Sequence, residues 1–353
     1  MPETTIVEEN SVRVEEDARI NYSICGEVSK TVEDGQLFTV VICTHHFNRY
    51  HDTIEAINSI LEQTYPEVEI VLVIDRNRDL FNKFVEFYND SVLIRVVLNS
   101  EQPGLSGSRN KGVQSSSGAF IAFLDDDAIA DKEWLKVLKD AYADSEIIGC
   151  GGPIRPLWVC GQDNSIPEEF YWTMGCTYRG FSNYRRSVRS NFGSNMSFRR
   201  SAFNDNEFNL NAGLLDNKGV GEEIDLSLRI LSAYPQSKIM HIPEAVVYHK
   251  IFKFRKSYKH LFNRCYQYGR SIGYYSANIA KLPSRVDKDD ANMMKYILMT
   301  SFPERVLSMF KQESNTNLKT NISQIVLIFL SSITIIYGML LSKVFRRDIR
   351  TSR

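Results

Sequence analysis

Three consecutive aspartates, Asp125-Asp126-Asp127, follow directly on the apolar run Ala119-Phe120-Ile121-Ala122-Phe123-Leu124. A short apolar run of this kind reads as a buried strand. The acidic triplet therefore falls at a strand's carboxyl end, where α/β sheets present their ligands. Alternate carboxylates there, Asp125 and Asp127, can chelate one hard divalent cation, Mn²⁺ or Mg²⁺, and such a cation neutralises a diphosphate leaving group. The bland alternative is a solvated acidic turn or a helix cap. Two other strand ends carry groups useful to a nucleotide. Thr44 closes Phe38-Thr39-Val40-Val41-Ile42-Cys43, and Asp75 closes Glu69-Ile70-Val71-Leu72-Val73-Ile74. A hydroxyl or carboxylate at such a place accepts hydrogen bonds from a ribose or a nucleobase, though each also suits a turn or cap. Finally, Gly104-Leu105-Ser106-Gly107-Ser108-Arg109-Asn110-Lys111-Gly112 opens a helix through glycines. A helix start favours anions, and Arg109 can meet a phosphate or the Asp125 carboxylate. The glycine spacing is neither that of a Walker P-loop nor Gly-x-Gly-x-x-Gly after the first strand.

The elements that position these groups alternate. After the first strand, Ile54, Ile57, Ile60 and Leu61 recur at helical spacing; after the second, Leu80, Phe81, Phe84, Val85 and Tyr88 do the same. Val92 to Leu98 reads as a third strand, Ser106 to Ser115 as a third helix, and the run before the aspartates as a fourth strand. Alternating strands and helices imply a doubly wound, mostly parallel α/β sheet. Residues 1–36 are acidic and polar and read as a flexible arm. Residues 150–250 are irregular and rich in Gly, Asn, Arg and aromatics, as an acceptor-facing half of the same domain would be.

The run ending at Thr44, the strand ending at Asp75, the Gly104 to Gly112 segment and Phe123-Leu124-Asp125-Asp126-Asp127 together resemble the family 2 glycosyltransferases. Gly193-Ser194-Asn195-Met196-Ser197-Phe198-Arg199-Arg200 is similar to that family's acceptor-side Gly-x-Asn-x-x-Phe-Arg segment, and Gly221-Glu222-Glu223-Ile224-Asp225-Leu226 to its Gly-Glu-Asp-x-Asp-Leu. The resemblance covers roughly residues 38–250. It implies the GT-A fold, with a nucleotide-binding half and an acceptor half, and an Asp-x-Asp metal motif at Asp125 and Asp127. It implies a catalytic base at Glu223, with Glu222 the alternative because this chain has Glu where the family has Asp. It adds His249 as a metal or pyrophosphate contact, beside the reading of a structural histidine. Thr44, Asp75, Arg109, Asp125 and Asp126 are the implied contacts to a nucleotide-sugar. One departure is His45-His46-Phe47 after Thr44, where the family usually has Tyr-Asn-Arg. Gly151-Gly152-Pro153-Ile154-Arg155-Pro156 and Gly175-Cys176-Thr177-Tyr178-Arg179-Gly180 resemble more narrowly archaeal members that build dolichyl-phosphate-linked glycans for N-glycosylation, glucuronosyltransferases acting on glucosyl-dolichyl phosphate among them.

The rest of the chain points to a membrane. Residues 251–320 form a basic, aromatic, helical region: with Lys250 just before it, Lys253, Arg255, Lys256, Lys259, His260, Arg264 and Arg270 interleave with Phe252, Phe254, Tyr258, Phe262, Tyr266 and Tyr268, as in a helix lying near anionic headgroups. Residues 291–311 are too charged to span a bilayer but can lie in its interface. Ile322 to Leu341 carries no formal charge. Such a stretch of about twenty residues is roughly 30 Å long as a helix, one hydrocarbon thickness, so 321–342 reads as a transmembrane or re-entrant helix followed by a basic tail, 343–353. A single span would export that tail from a cytosolic catalytic domain, against the positive-inside rule. The 353 residues carry a formal net charge of -1, which gives no reason to expect nucleic acid. Six cysteines without Cys-x-x-Cys spacing read as reduced thiols.

The combined expectation is a metal-dependent, inverting hexosyltransferase at the cell membrane, its catalytic domain on the cytoplasmic face. Its donor is a nucleotide-sugar, UDP-linked, with a hexuronic acid among the candidate sugars, and its acceptor a polyprenyl- or dolichyl-phosphate-linked glycan. The alternatives are a glycosyltransferase directed at a polysaccharide or simple lipid, and a non-catalytic nucleotide-binding membrane module.

Overall fold

The computed structural model describes residues 36–163, 165–211, 221–281, 289–310 and 318–351. All of the expected N-terminal arm except Gln36 lies outside them. In the first half, strands and helices alternate as β1 (Phe38–Thr44), α1 (Tyr50–Leu61), β2 (Val68–Asp75), α2 (Arg78–Phe87), β3 (Ile94–Asn99), α3 (Leu105–Gln114) and β4 (Phe120–Asp125). The third strand starts later than its sequence suggests, because Val92 is almost fully exposed and Ile94 is the first residue to turn inward. The four strands lie side by side in the order β3-β2-β1-β4, all parallel.

Their continuous apolar runs follow from burial on both faces. Alternate residues point to two separate cores. Val40, Ile42, Ile70, Leu72, Ala122 and Leu124 join Ile57, Leu80 and Phe84 of the helices on one face. Val41, Val71, Val73, Ile121 and Phe123 join Met196, Phe198 and Leu226 on the other.

The second half continues through β5 (Ala128–Ala130), α4 (Trp134–Ala141), β6 (Ile147–Gly151), β7 (Ile154–Trp158), β8 (Arg186–Ser187), β9 (Met196–Arg199), α5 (Glu222–Ala233), β10 (Lys238–His241) and β11 (Val247–Ile251). Strand β9 enters antiparallel between β4 and β6, and β10 adds parallel to β6. The eight-stranded sheet runs β3-β2-β1-β4-β9-β6-β10-β8, with only β9 and β8 reversed. A second sheet, β5-β11-β7, is built from short strands that no apolar run announces.

Beyond β11 come a 3₁₀ turn (Lys253–Lys256), α6 (Tyr258–Ile279), α7 (Asp289–Tyr296), a π-helical turn (Ile297–Ser301), α8 (Phe302–Phe310) and α9 (Leu318–Thr351). Helix α9 runs on through most of the stretch expected as a tail. A third core joins Phe170 and Trp172 of the 3₁₀ segment Glu168–Met174 to Leu261, Met293, Ile297 and Ile328 of these helices. An ion pair ties the same parts together. Glu169 is fully buried, receives Arg305 Nη2 at 2.7 Å and accepts a hydrogen bond from Ser301 of the π turn.

Candidate functional site

Strand β4 ends at Asp125, so only the first aspartate stands at the strand end; Asp126 and Asp127 form the tight turn into β5. Strand β11 pairs antiparallel with β5, with His249 opposite Ala128. That register, invisible in the sequence, sets the imidazole beside the turn. His249 Nε2 lies 3.1 Å from Asp127 Oδ1 and 3.9 Å from Asp125 Oδ2. One ligand atom from each of the three residues falls within 4.8 Å of the others. Neighbouring ligands about 2.1 Å from an octahedral cation are themselves about 3.0 Å apart. Two carboxylates and an imidazole at these separations therefore fit a hard divalent ion that tolerates one nitrogen ligand. The ring's other nitrogen, Nδ1, is buried with no hydrogen-bond partner among the described residues.

Asp127 is surrounded by cations. Its Oδ2 takes Arg255 Nη2 at 3.0 Å and Arg49 Nη1 at 3.1 Å. Burial pushes its carboxyl up, but the hydrogen bond to His249 and the charges of His249, Arg255 and Arg49 outweigh this and hold it below the usual carboxylate range. Of these cations Arg49 also acts on Asp126, too weakly to hold it down. Burial and the Asp127 charge push its carboxyl up to about 7, against a hydrogen bond with Thr44. Burial also raises Asp125, opposed by Arg109. A bound divalent cation would reverse both upward shifts.

Arg109 joins this cluster to a second one. Entered through Gly104, whose φ of 93° a side chain would resist, α3 carries the buried guanidinium between two acids. Nη1 lies 2.9 Å from Glu222 Oε1, Nη2 lies 3.6 Å from Asp125 Oδ1, and Nη2 also donates to Gly193 O at 3.3 Å. Glu222 and Glu223 are the first residues of α5. Glu222 is committed to Arg109. Glu223 instead lines a cavity walled by Trp172, Tyr178, Phe181, Phe192 and Tyr268, with the Trp172 and Tyr268 rings 4.5 Å apart. Burial, and then the Glu222 charge, push the Glu223 carboxyl up to about 7, opposed by Arg109 and Arg264. A glutamate here is not ionised by default at neutral pH, as an exposed one would be.

The nucleotide-side candidates also have local duties. Asp75 Oδ2 accepts the Gly104 N–H at 3.0 Å and so pins the glycine turn. Thr44 is buried, receives a hydrogen bond from Thr53 Oγ1 at 3.4 Å and meets Asp126. Asp225 and Arg229 form the i, i+4 pair that their spacing suggests, at 2.9 Å. Every cysteine among the described residues is a free thiol.

Two site residues escaped the sequence reading. Arg49 was hidden by register: the Asn-Arg pair expected directly after Thr44 is displaced by His45-His46 to Asn48-Arg49, in the turn that leads into α1. Arg255 was grouped with the cations expected to lie near anionic headgroups. The structure turns much of that basic run inward. Lys250 meets Asp52 and Glu55, each at 2.6 Å, Lys256 pairs with Asp163, and His260 Nε2 is 2.8 Å from Thr173 O. Arg264 faces Glu223 and Glu222. Of this run, Arg255 in the turn after β11 and Arg264 on α6 reach the acids of the site, and the others make local contacts.

The family model described as Glycosyl transferase family 2 matches residues 39–206. The glucosyl-dolichyl phosphate glucuronosyltransferase of Haloferax volcanii is 31% identical over 312 residues, which span 86% of this chain and 96% of that protein. A UDP-Glc:alpha-D-GlcNAc-diphosphoundecaprenol beta-1,3-glucosyltransferase of Escherichia coli is 35% identical over 92 residues, 26% of this chain and 36% of its own. Among solved structures, a mannosyltransferase from Pyrobaculum calidifontis in complex with GDP-Man and Mn²⁺ shares the fold, with a TM-score of 0.52 at 13% identity over 88% of this chain and 87% of that one.

Proposed function

The chain belongs to glycosyltransferase family 2, and from that premise we propose that it transfers a sugar, with inversion, from a UDP-linked donor to a dolichyl-phosphate-linked glycan at the cytoplasmic face of a membrane. A hexuronic acid is the favoured sugar, by analogy with the Haloferax volcanii relative, which is similar over nearly its whole length. The observation that carries the reading is the paired arrangement around Arg109: a cation-type cluster of Asp125, Asp127 and His249 on one side, and Glu223 facing an aromatic cavity on the other.

Asp125, Asp127 and His249 would hold Mn²⁺ or Mg²⁺, which when bound supplies charge neutralisation to the diphosphate. Thr44 and Asp75, at the ends of β1 and β2, and Asp126, in the turn after β4, border the nucleotide. Arg49 and Arg255, now on Asp127, add positive charge beside the leaving group. The acceptor sugar packs its C–H faces on the aromatic walls of the cavity, which fix its orientation, while Arg189, Ser190 and Asn191 of the same lining define its register. Glu223 takes the proton from the acceptor hydroxyl. The acceptor oxygen then bonds to the anomeric carbon as the bond to the diphosphate breaks, and attack from the opposite face inverts that carbon. A raised carboxyl is suited to this, since a base poised near the working pH transfers protons best. Arg109 acts as a positioning residue, engaging Glu222 so that Glu223 is left for the acceptor.

The test is a panel of nucleotide-sugars presented to the full chain in detergent, with Mn²⁺ or Mg²⁺, with and without a glycosylated polyprenyl phosphate. Metal-dependent release of nucleoside diphosphate from one donor, stimulated by the lipid, is expected. Absence of donor binding across the whole panel would leave a non-catalytic module as the better account.

A further inference from the structure

Helix α9 includes a stretch, Lys319–Ser342, long and apolar enough to cross a membrane. Its environment argues for a different placement. Ile322, Val326, Phe329, Ile333, Ile336 and Leu340 are all exposed, the phenylalanine to 59%. Their spacing alternates four and three, which draws one straight stripe along one side of the helix. The opposite side is buried: Leu327, Ile328 and Ile335 join the third core, and the small and polar residues Ser331, Gly338 and Ser342 lie among them. Most of its large apolar side chains are thus turned outward, where a core helix of a water-soluble protein would bury them.

The buried side lies on α6, and the contact is backbone-close. A Cβ on Gly269 would stand 2.0 Å from the Ile335 carbonyl oxygen, one on Gly273 2.5 Å from that of Met339, and one on Gly338 2.4 Å from that of Tyr266. Small residues that let two helices approach this closely fix their relation. Helix α6 in turn belongs to the catalytic region: Tyr268 walls the cavity of Glu223, and Arg264 faces that glutamate. If α9 crossed a bilayer, α6 would be drawn in beside it together with Lys259, Arg264 and Arg270, each costly at the membrane centre.

We infer that α9 lies along the membrane surface, its Ile322–Leu340 stripe sunk into the lipid and its small-residue side fixed on α6, so that the protein is monotopic. The occupant of the exposed stripe is a bilayer with anionic headgroups. Two features besides the stripe favour that occupant. Lys343, Arg346, Arg347 and Arg350 follow directly on it in sequence, where anionic headgroups would meet them. The π turn and α8 add Leu298, Met299 and Leu307, also exposed, Met299 to 72%. Arg305 of α8 bonds to Gln324 of α9, which holds the two exposed surfaces together. A surface helix also keeps the basic end of α9 on the same side as the catalytic domain, so the conflict with the positive-inside rule disappears. Met293 of α7 lines the Glu223 cavity, so the helical region that would rest on lipid also helps to wall the cavity of the base. The inference deepens the membrane association proposed above, and its test does not depend on donor turnover.

Sidedness decides it. Cys160 is exposed on the catalytic domain, and Ser352→Cys adds a thiol at the end of the chain. The full chain would be labelled with a membrane-impermeant maleimide in inside-out and right-side-out membrane vesicles, and the increment at position 352 compared with labelling of Cys160. Both thiols should label from the same face. Labelling of position 352 from the opposite face overturns the inference in favour of a spanning helix. In parallel, Phe329→Lys with Ile333→Lys should lower flotation with phosphatidylglycerol-containing vesicles by roughly tenfold or more, with an unchanged far-UV circular dichroism spectrum. Undiminished flotation would overturn the lipid contact. So would a wild-type chain that ignores vesicles and forms a dimer which the lysines dissolve, because the stripe would then face a second copy.

Discussion

The two acidic clusters of the site are made of the same functional group under opposite electrostatics. Asp127 is nearly inaccessible yet held low, because His249, Arg255 and Arg49 all approach it. Glu223, half-buried at its cavity, is held high, because desolvation and the neighbouring Glu222 dominate while Arg109 pairs with Glu222 itself. Burial is common to both, so the partners decide the outcome. A carboxylate kept ionised suits a cation, whereas one brought near neutrality suits a proton. Groups whose surroundings drive their pKa values apart are a general sign of divided labour in an active site.

The sharpest way to break the comparison is Glu223→Gln. It should lower kcat by roughly 10²–10⁴-fold, the usual worth of a general base, while donor affinity measured by calorimetry stays the same. If Glu222→Gln is the dead variant and Glu223→Gln is active, the two glutamates exchange roles. Asp127→Ala attacks the other cluster. Loss of transition-state charge stabilisation of this kind costs about 10²–10³-fold, and here it should come with loss of the Mn²⁺ dependence of donor binding, which removal of metal by EDTA should mimic in the unsubstituted chain.

The pH profile sharpens the same contrast with a smaller effect. The base works only when ionised, so kcat should fall below a midpoint near the Glu223 value of about 7, approaching roughly tenfold for each further unit of acidification. The sign for stability is opposite. Between the ordinary value of 4.5 and about 7 the folded chain keeps a proton that the unfolded chain releases, so this carboxyl's contribution to stability declines as pH rises through that window. A profile flat from pH 5 to 8 would remove Glu223 from proton transfer. Smallest of all, Glu222→Gln should move the acidic limb to lower pH by less than about one unit, since it removes a repelling charge and leaves the Arg109 cation beside the base; an upward move would contradict the assigned cause.

Much of the donor half was legible. Strands β1, β2 and β4 are buried on both faces, so their apolar runs name them without help from periodicity, and their last residues, Thr44, Asp75 and Asp125, are set by that alone. The order in which Gly104, Asp125, Gly193 and Glu222 occur was enough to suggest the family, and comparison with known proteins supports it. The small second sheet was not legible, since strands of three to five residues leave little pattern. Nor was the inward turn of Lys250, Arg255, His260 and Arg264, because a basic, aromatic stretch has the same composition whether it faces headgroups or acids.

From the sequence alone come the residue types of the site, the strand ends that carry Thr44, Asp75 and Asp125, and the presence of a helix apolar enough for a membrane; these depend on local pattern, which the chain carries in its own order. Tertiary structure alone decides that His249 stands beside Asp127, that Arg109 engages Glu222 and leaves Glu223 to the cavity, and that α9 turns its small residues to α6 and its apolar stripe outward. The reason is physical: each is a contact between elements far apart in sequence, fixed by sheet register and helix packing, and the charge state of a buried acid is set by the partners those contacts deliver.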